Sequence, residues 1–219
     1  MAKLRFRDRA EAGQLLANQL REYAHQSDVL ILALPRGGVP VAYEISRVLQ
    51  VPLDLCLVRK LGVPGHEELA MGAIASNGIR VTNETLLRSL SISEQVLAEV
   101  TAAEQKELER RDWAYRGNRA VPDVRDRTII LVDDGIATGA TLRAAIALLK
   151  QQAPRRIVVA VPIAPPLSCE ALKLIVDQVV CLAMPKTLSS IGEWYEDFSQ
   201  TTDQQVCQLL GRSFPTPSE

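Results

Sequence analysis

The chain reads as an open α/β fold: a mostly parallel, twisted sheet with flanking helices, plus a hairpin and a small C-terminal hood. Three observations predict it. Five short, mostly apolar runs, VLILAL (29–34), LDLCLV (53–58), TIILVD (128–133), RIVVAVPIA (156–164) and QVVCLAM (178–184), lack the polar alternation of a half-buried strand. Runs of that kind suit strands buried on both faces, as in a parallel sheet. Segments with helical apolar spacing separate most of them, and strand–helix alternation is the pattern of a sheet covered by its own crossovers. With 219 residues, 47% of them hydrophobic and only 4% aromatic, the chain is sized for one core or a core with an appendage. A single domain over residues 1–219 is therefore predicted, with its core at about 27–184 and a hood or lid at about 185–212.

Asp8 and Glu11 form a capping box for a helix over residues 9–23, with Ala12, Leu15, Leu16, Leu20 and Ala24 on its apolar side. The first strand ends at PRGG, and VPVAYEISRVLQ (39–50) supplies a crossover helix. The second strand ends at Arg59-Lys60, after which LGVPGHEEL (61–69), with two glycines, a proline and charges, reads as an exposed, mobile loop. MGAIAS (71–76) and IRVT (79–82) flank Asn77-Gly78, which predicts a hairpin with a tight primed turn. Ser91 with Glu94 caps a long helix to about residue 115, whose stripe of Val96, Leu97, Val100, Ala103 and Leu108 is interrupted by Glu104. The third strand feeds a helix at 139–152, and CEALKLIV (169–176) crosses between the last two strands. The tail holds Trp194, Tyr195 and Phe198, and its closing FPTPSE is predicted to fray.

Composition removes several functions. Lys+Arg 25 against Asp+Glu 26 gives a net charge of -1, so no global basic field gathers nucleic acid or anionic lipid. The first residues lack an apolar signal region and no run approaches a membrane span, so a cytoplasmic protein handling small molecules is expected, with a homodimer left open. The four cysteines, Cys56, Cys169, Cys181 and Cys207, form no CxxC pair, which disfavours zinc and a disulfide framework, and Cys56 and Cys181 read as small core side chains.

Ligands of such sheets sit beyond the C-terminal ends of the strands where strand order reverses, so PRGG, Arg59-Lys60 and Asp133-Asp134 are predicted to face one crevice. In IILVDDGIATGAT (129–141), two acids end an apolar strand, where they can accept hydrogen bonds from a vicinal diol or hold a hydrated divalent cation. The turn Ala137-Thr138-Gly139-Ala140-Thr141 leads into a helix N-terminus, whose free amide hydrogens and threonine hydroxyls make a nest for a phosphate monoester. A diol at one end and a phosphate at the other describe a ribose phosphate. Neither GxxxxGK[ST] nor GxGxxG occurs, which lowers the nucleoside triphosphate and dinucleotide alternatives. The plainer alternative is that the acids only cap a turn. Arg36, between a proline and Gly37-Gly38, offers a guanidinium and approachable amides suited to pyrophosphate, although PRGG also serves as an ordinary strand-to-helix turn. Arg59 and Lys60 add cations, or are simply solvated. Trp194, Tyr195 and Phe198 either wall in a planar base or anchor the tail, with Trp194 and Phe198 on one helical face. His66 offers an acid beside the loop glycine or is plain surface, and His25 closes the first helix.

Together these segments resemble the type I phosphoribosyltransferases, which use 5-phosphoribosyl 1-pyrophosphate with Mg²⁺. IILVDDGIATGAT is similar to that family's signature across its length. The resemblance implies that Asp133 and Asp134 contact the ribose hydroxyls directly or through Mg²⁺, and that Ala137, Thr138, Gly139, Ala140 and Thr141 cradle the 5'-phosphate. Arg36, Gly37 and Gly38 would match the pyrophosphate loop, which in the family often carries a non-prolyl cis peptide. RKLGVPG (59–65) is similar to the start of the catalytic loop in the adenine-using branch, one residue shorter, which gives Arg59 and Lys60 to the pyrophosphate and Glu67 or Glu68 to the base. Ile136, Trp194 and Tyr195 would lie at the base. Enzymes using 6-oxopurines usually carry an aspartate where this chain has Ala137, and GHEELAMGAI matches neither the adenine nor the orotate branch well, so the acceptor stays open. The implied reaction is displacement at ribose C1 by a base nitrogen with pyrophosphate leaving. A nucleotide sensor on the same scaffold and transfer to a non-base amine are the competing functions.

Overall fold

A computed structural model describes residues 5–213 of the chain, apart from the side chains of Glu68 and Ser213. The closing FPTPSE, expected to fray, lies outside the described residues. In chain order the elements are α1 (Arg9–Gln19), β1 (Val29–Ala33), α2 (Gly38–Leu49), β2 (Leu53–Leu55), β3 (Val58–Val63), β4 (His66–Ala75), β5 (Arg80–Thr82), α3 (Glu84–Ser89), α4 (Glu94–Arg116), β6 (Thr128–Val132), α5 (Ala140–Lys150), β7 (Arg156–Ile163), α6 (Pro166–Lys173), β8 (Gln178–Ala183) and α7 (Asp203–Ser213). They fall into two compact units: residues 1–56, 124–139 and 154–219 form one, and residues 57–123 and 140–153 the other.

The first unit is built on a five-stranded sheet in the order β2-β1-β6-β7-β8. Every pairing in it is parallel. β1 and β6 are buried at every position, which is why their sequences are uninterrupted apolar runs. α1 starts where expected, with the Asp8 carboxylate accepting from the Glu11 amide at 2.8 Å. It ends earlier than predicted and a 3-10 turn over Arg21–Tyr23 completes the segment. Leu15, assigned to the apolar side, is 40% exposed, while Ala12, Leu16 and Leu20 are fully buried. Cys56 and Cys169 are buried, and Cys181 is half-buried. The Cys181 thiol donates to the Ala183 carbonyl at 3.2 Å, and burial pushes it up to about 12. Among the described residues no helix is long and apolar enough to cross a membrane.

The second unit holds a three-stranded antiparallel sheet, β3-β4-β5, with α4 and α5. This unit departs most from expectation. LGVPGHEEL, expected as a mobile loop, is instead mostly strand: β3 pairs with β4 from Val58↔Ala75 to Val63↔His66, with register shifts near Gly62. Only the tip, Pro64-Gly65, is a turn, and Gly65 takes a positive φ of 79°. Proline before a left-handed glycine suits a type II turn, a signal present in the sequence. At the second hairpin Gly78 alone is left-handed (φ 80°), and the Ala75 amide pairs with the Ile79 carbonyl at 2.9 Å. Both primed turns need a positive φ at the first central residue, here Asn77, which does not have one, so the observed three-residue loop closed by a left-handed glycine replaces them. α4 is capped by Ser93 rather than Ser91, the Ser93 hydroxyl accepting from the Val96 amide at 3.3 Å, and the short α3 precedes it. Glu104, the acid in its apolar stripe, is ion-paired with Arg59.

Candidate active site

The strand order sets the location. β1 connects to β2 on one side and β6 to β7 on the other, so their C-terminal ends form the switch point where such sheets bind ligands. PRGG leaves β1 there, and Asp133-Asp134 leave β6 beside it. The Leu34 amide donates to the Val132 carbonyl at 2.9 Å, carrying the ladder one residue past β1. The Gly38 amide then donates to the Leu34 carbonyl at 3.1 Å, turning the chain into α2. The Pro35–Arg36 peptide is cis.

PRGG and the acid pair are in direct contact. A Cβ on Gly37 would lie 2.0 Å from Asp134 Oδ2, and one on Gly38 would lie 2.7 Å from the Val132 carbonyl oxygen and 3.0 Å from Asp133 Cα. Both positions favour glycine because Gly37 abuts the Asp134 side chain and Gly38 the backbone of Val132 and Asp133, with no room for a methyl at either. Arg36 points a guanidinium NH1 to within 3.6 Å of Asp203 at the start of α7.

Asp134 is gripped by a residue that carries no mark in the sequence. Arg9, the first residue of α1, donates from Nε to Asp134 Oδ2 at 2.8 Å, and the two side chains are only 11% and 13% exposed. The Arg9 guanidinium lies 3.9 Å from the Phe198 ring centroid and donates from NH1 to the Ser199 carbonyl at 2.8 Å. Tyr195, 1% exposed, donates its hydroxyl to the Asp134 carbonyl at 2.7 Å. The aromatic stretch is fixed in turn by residues before α1. Phe6 pairs with Tyr195 in a parallel bridge, and their rings are 5.4 Å apart. Burial holds the Tyr195 hydroxyl well above its ordinary pKa, with the Asp134 carboxylate adding to the shift. An arginine so placed has no sequence signal, since its partner lies 125 residues away.

Asp133 is half-buried and accepts the Asp134 amide on Oδ1 at 2.9 Å. Burial first, and then the neighbouring Asp134 carboxylate, push its carboxyl well above the usual range. Among the described residues no group of three or more His, Cys, Asp or Glu side chains could hold a metal ion. The donor set instead fits a Mg²⁺ that arrives with substrate oxygens, for which one or two carboxylates suffice. In the following turn Ala137 and Thr138 are exposed, and Gly139 is half-buried and left-handed at φ 70°.

Ile136 is 2% exposed with its amide on the Ile163 carbonyl at 2.8 Å. Trp194, 8% exposed, packs with Ile163, Ala183, Leu188 and Ile191, and Tyr195 with Phe6, Ala12 and Phe198; both anchor the tail. No helix carries Trp194 and Phe198 on a common face, because a 3-10 turn over Gly192–Trp194 is followed by irregular chain. Arg59, Lys60, Glu67, Ala140 and Thr141 belong to the other unit: Arg59 and Lys60 lie on β3, Glu67 is exposed on β4, and Ala140 and Thr141 open α5. The side chain of Glu68 lies outside the described residues. His66 is exposed at the start of β4.

Comparison with known proteins agrees with this geometry. The family model described as a phosphoribosyl transferase domain matches residues 7–183. A Mycobacterium tuberculosis protein with the provisional name phosphoribosyl transferase Rv0571c is 41% identical over 208 residues, covering 95% of this chain. The chain spans only 47% of that relative's length. The crystal structure of TT1426 from Thermus thermophilus superposes with a TM-score of 0.85 at 42% identity, covering 94% of this chain and 97% of that one. The AQ2163 protein of Aquifex aeolicus shares the fold at a TM-score of 0.52 and 10% identity, over 84% of this chain and 78% of its own. A switch point lined by PRGG and paired acids, matched by a family model across most of the sequence, leads to one conclusion: the chain belongs to the phosphoribosyl transferase family.

Proposed function

We propose that the protein transfers the 5-phosphoribosyl group of 5-phosphoribosyl 1-pyrophosphate to a nucleobase or related nitrogen acceptor, with Mg²⁺, releasing pyrophosphate. The observation that carries this reading is the contact between PRGG and Asp133-Asp134 at the switch point. It puts an arginine and two close-approach glycines beside two acids, the pairing that a pyrophosphorylated ribose needs at C1. In this reading Asp133 and Asp134 accept hydrogen bonds from the ribose hydroxyls. The amides of Ala137, Thr138 and Gly139, with the Thr138 hydroxyl, bind the 5'-phosphate. Arg36 and the Gly37 and Gly38 amides neutralise the departing pyrophosphate as charge builds on it. Mg²⁺, when bound, adds Lewis-acid stabilisation of that leaving group. Arg59, Lys60, Glu67, Glu68, Ala140 and Thr141 keep the roles that the motifs imply, resting on sequence alone.

No nucleophile on the protein enters the scheme; the acceptor nitrogen bonds to C1 as the C1–O bond to pyrophosphate breaks. The test is pyrophosphate release from 5-phosphoribosyl 1-pyrophosphate with Mg²⁺ against a panel of purines, pyrimidines and amines. Release with one acceptor class, lost in Asp133→Asn/Asp134→Asn, supports transfer. Magnesium-dependent binding without release for any acceptor would replace it with a sensor.

A further inference from the structure

We infer that Arg9 is the positioning residue of the diol site, fixing the Asp134 carboxylate in the one orientation that leaves its Oδ1 for a ribose hydroxyl. This rests on the proposed role of Asp134, and deepens it. Arg9 takes Oδ2 at 2.8 Å. The backbone of Gly37 lies so close that a Cβ there would come within 2.0 Å of the same Oδ2. The arginine is itself immobilised: its guanidinium lies 3.9 Å from the Phe198 ring and 5.9 Å from that of Tyr195, and NH1 is held by the Ser199 carbonyl at 2.8 Å. Tyr195 secures the backbone of the residue being positioned, through its 2.7 Å bond to the Asp134 carbonyl. Two segments remote in sequence, the start of α1 and residues 194–199, thus converge on one carboxylate. Neither supplies a group that the transfer chemistry requires, and a caging of this kind holds a binding group within the narrow angular range that productive contact demands.

The adjacent acid, Asp133, is held by the Asp134 amide, while the arginine's Nε is committed to Asp134. The direct contact of the guanidinium is thus with Asp134, and Asp133 feels it only at longer range. Arg9 pairs with the acid assigned to the sugar, whereas the pyrophosphate loop carries an arginine of its own, Arg36, directed at Asp203.

That separation sets the test. Calorimetry on the full chain, with Mg²⁺, compares 5-phosphoribosyl 1-pyrophosphate with inorganic pyrophosphate for the wild type, Arg9→Gln, Arg9→Lys, Asp134→Asn and the double variant Arg9→Gln/Asp134→Asn. Arg9→Gln is expected to weaken the sugar ligand by about tenfold or more while leaving inorganic pyrophosphate within about twofold. Arg9→Lys recovers part of the loss. In the Asp134→Asn background, Arg9→Gln costs no further affinity, because the residue it acts through is already gone. The double variant also carries no orphaned carboxylate, so the comparison survives if Arg9→Gln alone fails to fold. Parallel loss of both ligands, additive losses in the double variant, or unchanged sugar affinity would overturn the inference. A wild-type chain that binds inorganic pyrophosphate but not the activated sugar overturns the proposed function instead, and this inference with it.

Discussion

Gly37→Ala tests the contact on which the site is built. The backbone at Gly37 is ordinary right-handed helix, φ -62° and ψ -33°, so alanine suits it conformationally. At a position of that kind glycine-to-alanine normally stabilises by about 0.4–1 kcal/mol, by restricting the unfolded chain. The nearest obstacle is Asp134, whose Oδ2 would be 2.0 Å from the new Cβ and whose Cγ would be 2.6 Å away. Relief requires a displacement of about 1 Å, against a carboxylate tied to Arg9 in a nearly buried pair. If loop and carboxylate share the strain the cost is about 1–3 kcal/mol. If the ion pair breaks, it approaches the roughly 3–5 kcal/mol typical of a buried charge losing its partner. Urea unfolding of the wild type, Gly37→Ala, Asp134→Ala and the double variant gives the answer directly. In the Asp134→Ala background the alanine at 37 should be neutral or stabilising by about 0.4–1 kcal/mol, reversing the sign. A Gly37→Ala protein as stable as wild type, or an equal penalty in both backgrounds, would refute the reasoning.

Tyr195→Phe removes the hydroxyl that donates to the Asp134 carbonyl and is expected to cost about 1–2 kcal/mol in chemical denaturation; an unchanged midpoint would contradict that bond. Asp133 has a folded pKa raised above its unfolded value, so folding takes up a proton between the two. Stability from this group is therefore greatest at low pH and declines as pH rises from the unfolded value, near 4, through the raised folded one; Asp133→Asn should flatten that decline in melts between acid and neutral pH run with chelator, and an unaltered slope would count against it. Gly78→Ala meets nothing within 4 Å yet sits at φ 80°, so it should cost about 1 kcal/mol by backbone strain alone, checked by thermal unfolding and contradicted by any stabilisation.

What could be read from the sequence was what local chemistry decides. The buried strands announced themselves because β1, β6 and β7 are covered on both faces and can carry nothing polar in their interiors. The acids were legible because carboxylates cannot continue a buried strand, and that change of chemistry marks where β6 stops. β3 and the first half of β4 were missed since Arg59, Lys60, His66 and Glu67 look like loop residues. Their strands are defined by antiparallel pairing with each other, not by burial, and most of these side chains are half-buried or exposed. The cap falls at Ser93, two residues later than expected, because only Ser91 has the acid three residues on that marks a capping box, Glu94, whereas Ser93 has Val96 there. Arg9 was beyond reach, and the tail anchor was legible only as one of two alternatives, for a different reason: each owes its environment to a partner more than a hundred residues away, Asp134 for Arg9 and Phe6 for Tyr195.

The bridge between Phe6 and Tyr195 has a consequence for synthesis. During translation β1, β6 and the loops at their ends emerge before residues 191–199, so Arg9 waits through the making of the whole sheet for the ring that will stack on it. A ribosome-bound intermediate ending near residue 185 holds the paired acids and PRGG but not Tyr195, Phe198 or the Ser199 carbonyl. The cage around Arg9 is thus complete only once the stretch around Tyr195 pairs with Phe6, over a guanidinium made nearly two hundred residues earlier.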